Sequence, residues 1–125
     1  MARVLIVDDD LASLDLAARV MRHAGHEVIS SSDGAAALVM AQEARPLLIL
    51  LDLHLPGMNG WALVSAIRAS EWSAEVRVVA VSASATQADQ LRALAVGCDE
   101  FLAKPYTLDA LREVVAQQLR QAVAS

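Results

Sequence analysis

The sequence predicts an α/β sandwich built on a five-stranded parallel sheet, and three observations carry that reading. Five short runs of β-branched residues and leucine alternate with five stretches of helical periodicity. The connections between them are short. The third and fourth runs are apolar without alternation, as central strands covered on both faces must be. A chain of 125 residues has room for one domain with a substantial core, so a single unit over 1–125 is expected.

The first strand is expected at Arg3–Val7, reading RVLIV. Leu14, Ala17, Ala18 and Met21 then recur at three- and four-residue spacing, the mark of a helix with one apolar stripe. Gly25 sits just past its end, where a left-handed residue closes a helix at least steric cost. The second strand is expected at Val28–Ser30, and Asp33 suits the N-cap of the second helix. The third strand covers Leu47–Leu51, and Leu63 with Ile67 marks the third helix. Val76–Val81 forms the fourth strand, followed by a helix with Leu91, Leu94 and Ala95 as its apolar positions and Gly97 as its stop. Glu100–Ala103 is the fifth strand. Thr107 caps a fifth helix whose stripe is Leu108, Leu111, Val115 and Leu119. Right-handed crossovers and five parallel strands lead to the order 2-1-3-4-5, a flavodoxin-like (βα)5 sandwich. Any ligand then belongs outside the carboxyl ends of the strands.

Composition narrows the function. The chain is 56% hydrophobic, much of it alanine, and only 3% aromatic, which fits helices packed on an aliphatic centre. A formal charge of −5 argues against direct DNA binding and against an anionic membrane surface, because both require clustered positive charge. Cys98 is the single cysteine, so no internal disulfide can form, and it reads as a packed thiol. No leader-like stretch precedes the strand that begins at Arg3, and the longest apolar run is too short for a bilayer, so a cytoplasmic location is expected.

Four of the strands end on polar residues: Asp8, Asp9 and Asp10 after the first, Asp52 after the third, Ser82 after the fourth and Lys104 after the fifth. In a 2-1-3-4-5 sheet those strands are contiguous, so carboxylates, a hydroxyl and an ammonium converge on one patch. Two carboxylates about 5 Å apart repel by roughly 3 kcal/mol at an effective dielectric near 20, so a cation must sit among them. An all-oxygen site suits a hard ion, Mg²⁺ or Mn²⁺. Lys104 is the only lysine in the chain and a second cation, and Pro105 follows it where an X-Pro bond can redirect the chain.

These residues resemble the bacterial response-regulator receiver family, including its single-domain chemotaxis regulator. The resemblance runs from VLIVDDD through LLDLHLPGMNG and VVAVSAS to GCDEFLAKPY, so it covers the whole chain. It implies a two-component phosphoacceptor, not an enzyme, with Asp52 as the phosphorylated aspartate. Asp8 and Asp9 become the acidic pair that holds the metal with Asp52, joined by the backbone carbonyl of His54. Ser82 becomes the hydroxyl that closes on the phosphoryl group, Lys104 its ion-pair partner and Phe101 the switch aromatic, while Pro56 and Gly60 match the loop and helix start after Asp52. Serine stands at 82 where threonine is commoner in the family, and phenylalanine at 101 where tyrosine is commoner.

The implied partners are a sensor histidine kinase or a phosphotransfer protein as donor and a downstream protein target, with the domain a monomer or weak dimer. The sequence carries no output domain, so the signal is expected to pass through the surface of the fourth helix, fifth strand and fifth helix, at positions such as Gln90, Arg92, Ala110 and Val114. Asp10 is read as the cap of the first helix rather than a metal ligand. His23 and His26 are read as structural groups at a helix end, and Trp61 and Trp72 as packing residues. Asp8-x-Asp10 after an apolar strand also resembles the opening motif of haloacid-dehalogenase-type phosphatases, with Asp8 as nucleophile. That alternative calls for an acidic pair beyond Lys104, and only Asp109 and Glu113 follow it.

Overall fold

The structure is a computed structural model that describes residues 2–55 and 57–124, with side chains as far as Ala122. Pro56, expected in the loop after Asp52, lies outside the described residues. Five parallel strands form the main sheet: β1 (Arg3–Val7), β2 (Glu27–Ser31), β3 (Leu48–Asp52), β4 (Arg77–Ser82) and β5 (Glu100–Ala103). Their order is β2-β1-β3-β4-β5, the order expected. The helices are α1 (Leu11–His23), α2 (Gly34–Ala44), α3 (Gly60–Arg68), α4 (Gln87–Val96) and α5 (Leu108–Ala124). A 3-10 turn at Glu71–Glu75 and a two-residue antiparallel ribbon pairing His54–Leu55 with Met58–Asn59 complete the chain. Neither was visible as periodicity, since both are too short for a pattern to repeat more than once.

Alternate residues of each central strand feed two separate cores. Leu5, Val7, Ile49, Leu51, Val78 and Ala80 face Ala37 and Ala41 of α2, Leu63, Val64 and Ile67 of α3, and Ala93 of α4. Val4, Ile6, Leu48, Leu50, Val79 and Val81 face Ala17, Ala18 and Met21 of α1 and Leu111, Val115 and Leu119 of α5. All five residues of β3 are buried, which is why it reads as an unbroken apolar run up to the terminal Asp52.

Helix ends follow the expected chemistry. Asp10 accepts the Ala12 N–H at 3.2 Å and the Ser13 hydroxyl at 2.7 Å, so it caps α1. Asp33 caps α2 through Ala36 at 3.3 Å, and Thr107 caps α5 through Ala110 at 3.0 Å. Gly97 closes α4 at φ +117°, a left-handed conformation that a side chain would strain. Gly60 answers a different need. A Cβ there would lie 2.5 Å from the Cα of Leu53, so only glycine lets α3 begin against the residue that follows Asp52.

Helix α4 departs from expectation. Leu91 and Leu94 are 59% and 52% exposed and Ala95 is exposed, while Ala93 is fully buried and Val96 packs beside it. The helix sits close to the sheet on a small residue, which turns its leucines outward. Ala110 and Val114 depart in the other sense: they are half-buried against α5's core rather than exposed. Among the described residues no helix is long and apolar enough to cross a membrane.

Candidate functional site

Parallel register assembles the site. Val7 pairs with Leu51 across β1 and β3, so the next residues, Asp8 and Asp52, stand one strand spacing apart, about 4.8 Å. Asp52 pairs with Val81, and Ser82 pairs with Ala103, whose successor is Lys104. The Lys104 N–H donates to the Ser82 carbonyl at 2.8 Å, carrying the parallel pairing one residue past the end of β5. The Lys104–Pro105 peptide is cis.

The Lys104 side chain reaches back across the strand ends. Its Nζ donates to Asp8 Oδ2 at 2.8 Å and to Asp52 Oδ2 at 3.0 Å. The second oxygen of each carboxylate takes a backbone amide: Asp8 Oδ1 accepts from Asp10 at 2.9 Å and Asp52 Oδ1 accepts from His54 at 2.8 Å. Both carboxylates are buried, at 6% and 8% exposure. Asp9 is exposed, and its side chain has no hydrogen-bond or ion-pair partner among the described residues.

One oxygen from each of Asp8, Asp9 and Asp52 lies within 4.8 Å of the other two. Three carboxylates against one ammonium leave an excess of negative charge at the ends of two central strands. Burial pushes the Asp8 carboxyl above the usual carboxylate range; Lys104 and the Asp10 amide pull it down, and the Asp52 charge adds to the push. Burial would lower the Lys104 ammonium, but its hydrogen bonds to Asp8 and Asp52 and their charges outweigh that and raise it. The donor set is all oxygen and hard, the charge excess calls for a cation, and Asp9 faces an open cleft of about 610 Å³ that His54, Asn59 and Trp61 also line. A divalent ion fits these residues.

Ser82 is fully buried one strand over. Its Oγ accepts the Ser84 N–H at 3.0 Å, while its own proton meets no acceptor among the described residues. A buried hydroxyl with an unspent donor is poised for an incoming oxygen. Phe101 pairs with Ala80 in the sheet, half-buried against the core beneath α2, α3 and α4 and below the level of the carboxylates. The His54 side chain is exposed at the mouth. Asp10 stands outside the carboxylate cluster, occupied by its capping bonds.

Sequence reasoning missed the groups around this centre. Asn59 caps α3 by accepting the Trp61 N–H at 2.8 Å. Arg92 of α4 lies over the Trp61 ring, 4.5 Å from its centroid. Ser84 donates its hydroxyl to Asp89 at 2.5 Å, and the Asp89 N–H donates to Thr86 at 3.1 Å. The spacing Thr86-x-x-Asp89 is close to a capping box and could have marked the start of α4. No pattern could have announced the Ser84 contact.

The family model described as "Response regulator receiver domain" matches residues 4–116. The transcriptional regulatory protein PrrA of Mycobacterium tuberculosis is 41% identical over 122 residues, which cover 95% of this chain and 50% of PrrA. The chain thus spans about half the length of the curated relatives it matches. Among solved structures, the chemotaxis response regulator CheY4 of Vibrio cholerae aligns with a TM-score of 0.90 at 29% identity, covering 94% of this chain and 98% of that one. A CheY-like response regulator receiver domain protein of Methanospirillum hungatei aligns with a TM-score of 0.90 at 26% identity, covering 99% and 98%.

Proposed function

The chain belongs to the response regulator receiver family, a signalling module of two-component systems and not a classical enzyme, and on that premise we propose that Asp52 is its phosphoacceptor. The observation that carries the proposal is the cluster itself: three carboxylates within 4.8 Å, two of them held by one lysine. Asp52 is the member that ends a strand buried throughout, with one oxygen on an ammonium and one on an amide.

Asp8, Asp9 and Asp52, with the backbone carbonyl of His54, would hold Mg²⁺ or Mn²⁺. Such an ion, when bound, neutralises charge on phosphoryl oxygens. An Asp52 carboxylate oxygen attacks phosphorus in line. The new O–P bond forms as the P–N bond of a donor phosphohistidine breaks, and the imidazole leaves as a neutral ring after taking a proton. Lys104 exchanges one carboxylate contact for a phosphoryl oxygen, and the Ser82 hydroxyl donates a hydrogen bond to another. The domain, taken as 1–125, receives its phosphoryl group from a histidine kinase or a phosphotransfer protein in the cytoplasm. It signals to a protein target without touching DNA itself. Phe101 moves with Ser82 and changes the face of α4, β5 and α5.

The phosphatase alternative is disfavoured by one contact set: Asp10, which that chemistry needs at the centre, is bound to Ala12 and Ser13 as a helix cap. The test is intact mass after incubation with acetyl phosphate and Mg²⁺. One addition of about 80 Da, the mass of HPO₃, is expected on the native protein and none on Asp52→Asn. Full uptake by Asp52→Asn at the native rate would remove Asp52 from the role.

A further inference from the structure

We infer that Asp89 is a positioning residue for phosphoryl transfer, acting on Ser82 through Ser84; the inference rests on the reading of Asp52 and Ser82 given above. Two bonds link them in series and a third holds Asp89 in place. The Ser84 N–H fixes the Ser82 Oγ at 3.0 Å, the Asp89 carboxylate fixes the Ser84 hydroxyl at 2.5 Å, and Thr86 fixes Asp89 by accepting its N–H at 3.1 Å. The Ser82 oxygen therefore has its acceptor side occupied and its proton free, which is the arrangement a donor to a new phosphoryl oxygen requires.

Without Asp89 this order would be hard to keep. Ser84 lies in the segment between β4 and α4, and that segment's other end is a helix with Ala93 as its only fully buried side chain among the described residues. The polar bonds of Asp89, and of Gln90 whose side-chain amide donates to the Ala85 carbonyl at 3.0 Å, tie residues 84–86 to α4. Asp89 does so with a charged acceptor, and hydrogen bonds from Ser84 and then Thr86 hold its carboxyl below the usual range, so it stays ionised and accepting at neutral pH. Asp89 stands outside the cluster of carboxylates assigned to the metal, so its effect should reach the hydroxyl and not the ion.

The experiment measures loading of Asp52 from acetyl phosphate with Mg²⁺ in a cycle of the native protein, Asp89→Ala, Ser82→Ala and the double variant. Asp89→Ala should slow loading about tenfold, the scale of losing an outer hydrogen-bond partner. In the Ser82→Ala background the same change should cost nothing further, because the group it positions is gone. Asp89→Asn, which keeps an oxygen acceptor for Ser84, should recover most of the rate. Ser84→Ala should reproduce Asp89→Ala and serves in its place if that variant does not fold. Equal slowing by Asp89→Ala in both backgrounds, or no slowing in either, would overturn the inference. A native protein that takes up no phosphoryl group would instead overturn the assignment of Asp52, so the two failures are distinct.

Discussion

Two charged clusters sit at opposite ends of the same parallel sheet, built from similar groups with opposite results. At the carboxyl ends, Asp8 and Asp52 share one ammonium, that of Lys104, and the neighbouring Asp9 is left without a partner among the described residues. At the amino ends, Arg68 and Arg77 share one carboxylate, Asp99. There the excess charge is absorbed by neutral acceptors: Arg68 also donates to the carbonyls of Gly97 at 2.8 Å and Ser73 at 2.7 Å, and Arg77 to Gln118 at 2.9 Å and Gln121 at 2.8 Å. Asp99 in turn accepts the Val78 N–H at 2.8 Å, at the edge where β4 begins. A cluster whose donors and acceptors close on themselves is a brace. One that leaves charge and a donor unspent is prepared for something that arrives.

The largest expected difference between the two is therefore in stability. Asp99→Ala strips the shared carboxylate from two partly buried arginines and from the Val78 amide, and should cost about 2–4 kcal/mol in urea unfolding. Phosphoryl loading below the melting temperature should survive, since the brace touches none of the carboxylates at the other end. A loss under 0.5 kcal/mol would mean that water replaces Asp99 without penalty and that the brace is ornamental.

The two ends were also unequally legible. The phosphoacceptor end announces itself because each of its residues ends an apolar strand, and strand order follows from alternation with helices. Residues from four separate stretches of the chain thus become neighbours by rule. Arg68, Arg77, Asp99, Gln118 and Gln121 come from a helix end, a strand start, a helix-to-strand turn and the last helix, and no periodicity relates them. Their meeting is decided by side-chain reach, which sequence patterns do not encode. Leu91 and Leu94 misled for a related reason: spacing predicts a helix correctly, but burial of small Ala93 beats burial of leucine where helix and sheet approach closely. Ser84 and Asp89 escaped notice because a serine and an aspartate five apart have no standing local geometry.

Cys98 sharpens the contrast by pH. It lies beside the arginine brace, and burial pushes its thiol from 9.0 up to about 12, against a smaller pull from Arg68 and with a still smaller push from Asp99. The unfolded chain releases this proton first, so the folded state has its full stability below pH 9 and loses it as pH rises towards about 12. The slope is about 1.4 kcal/mol per pH unit, or roughly 2 kcal/mol by pH 10.5. Urea midpoints of the native protein and Cys98→Ala at pH 8 and pH 10.5 check this. The native protein should lose the extra stability and the variant should not, while Lys104 and Tyr106 titrate alike in both and cancel. Equal losses would show that the thiol ionises in place.

The smallest effect has the most telling sign. Removing a charge from the brace must destabilise, whereas removing one from the acidic cluster should stabilise, because Asp9 contributes repulsion and no bond. One of its carboxylate oxygens lies within 4.8 Å of a carboxylate oxygen on each of Asp8 and Asp52. At a solvent-facing site that repulsion is on the order of 1 kcal/mol, equivalent to a rise of about 3 °C in the melting temperature of Asp9→Asn without divalent ions. Millimolar Mg²⁺ should reverse the ranking. Bound to the folded native cluster and not to the unfolded chain, it should raise the native melting temperature in proportion to occupancy, and EDTA should remove the rise. Asp9→Asn lacks one of the three carboxylates and should gain less from the same Mg²⁺. The two melting curves are thus expected to cross as metal is added, with the variant ahead in EDTA and the native protein ahead in excess Mg²⁺. If Asp9→Asn melts lower under both conditions, Asp9 holds the fold together, and the acidic end is a second brace rather than a site held open for a cation.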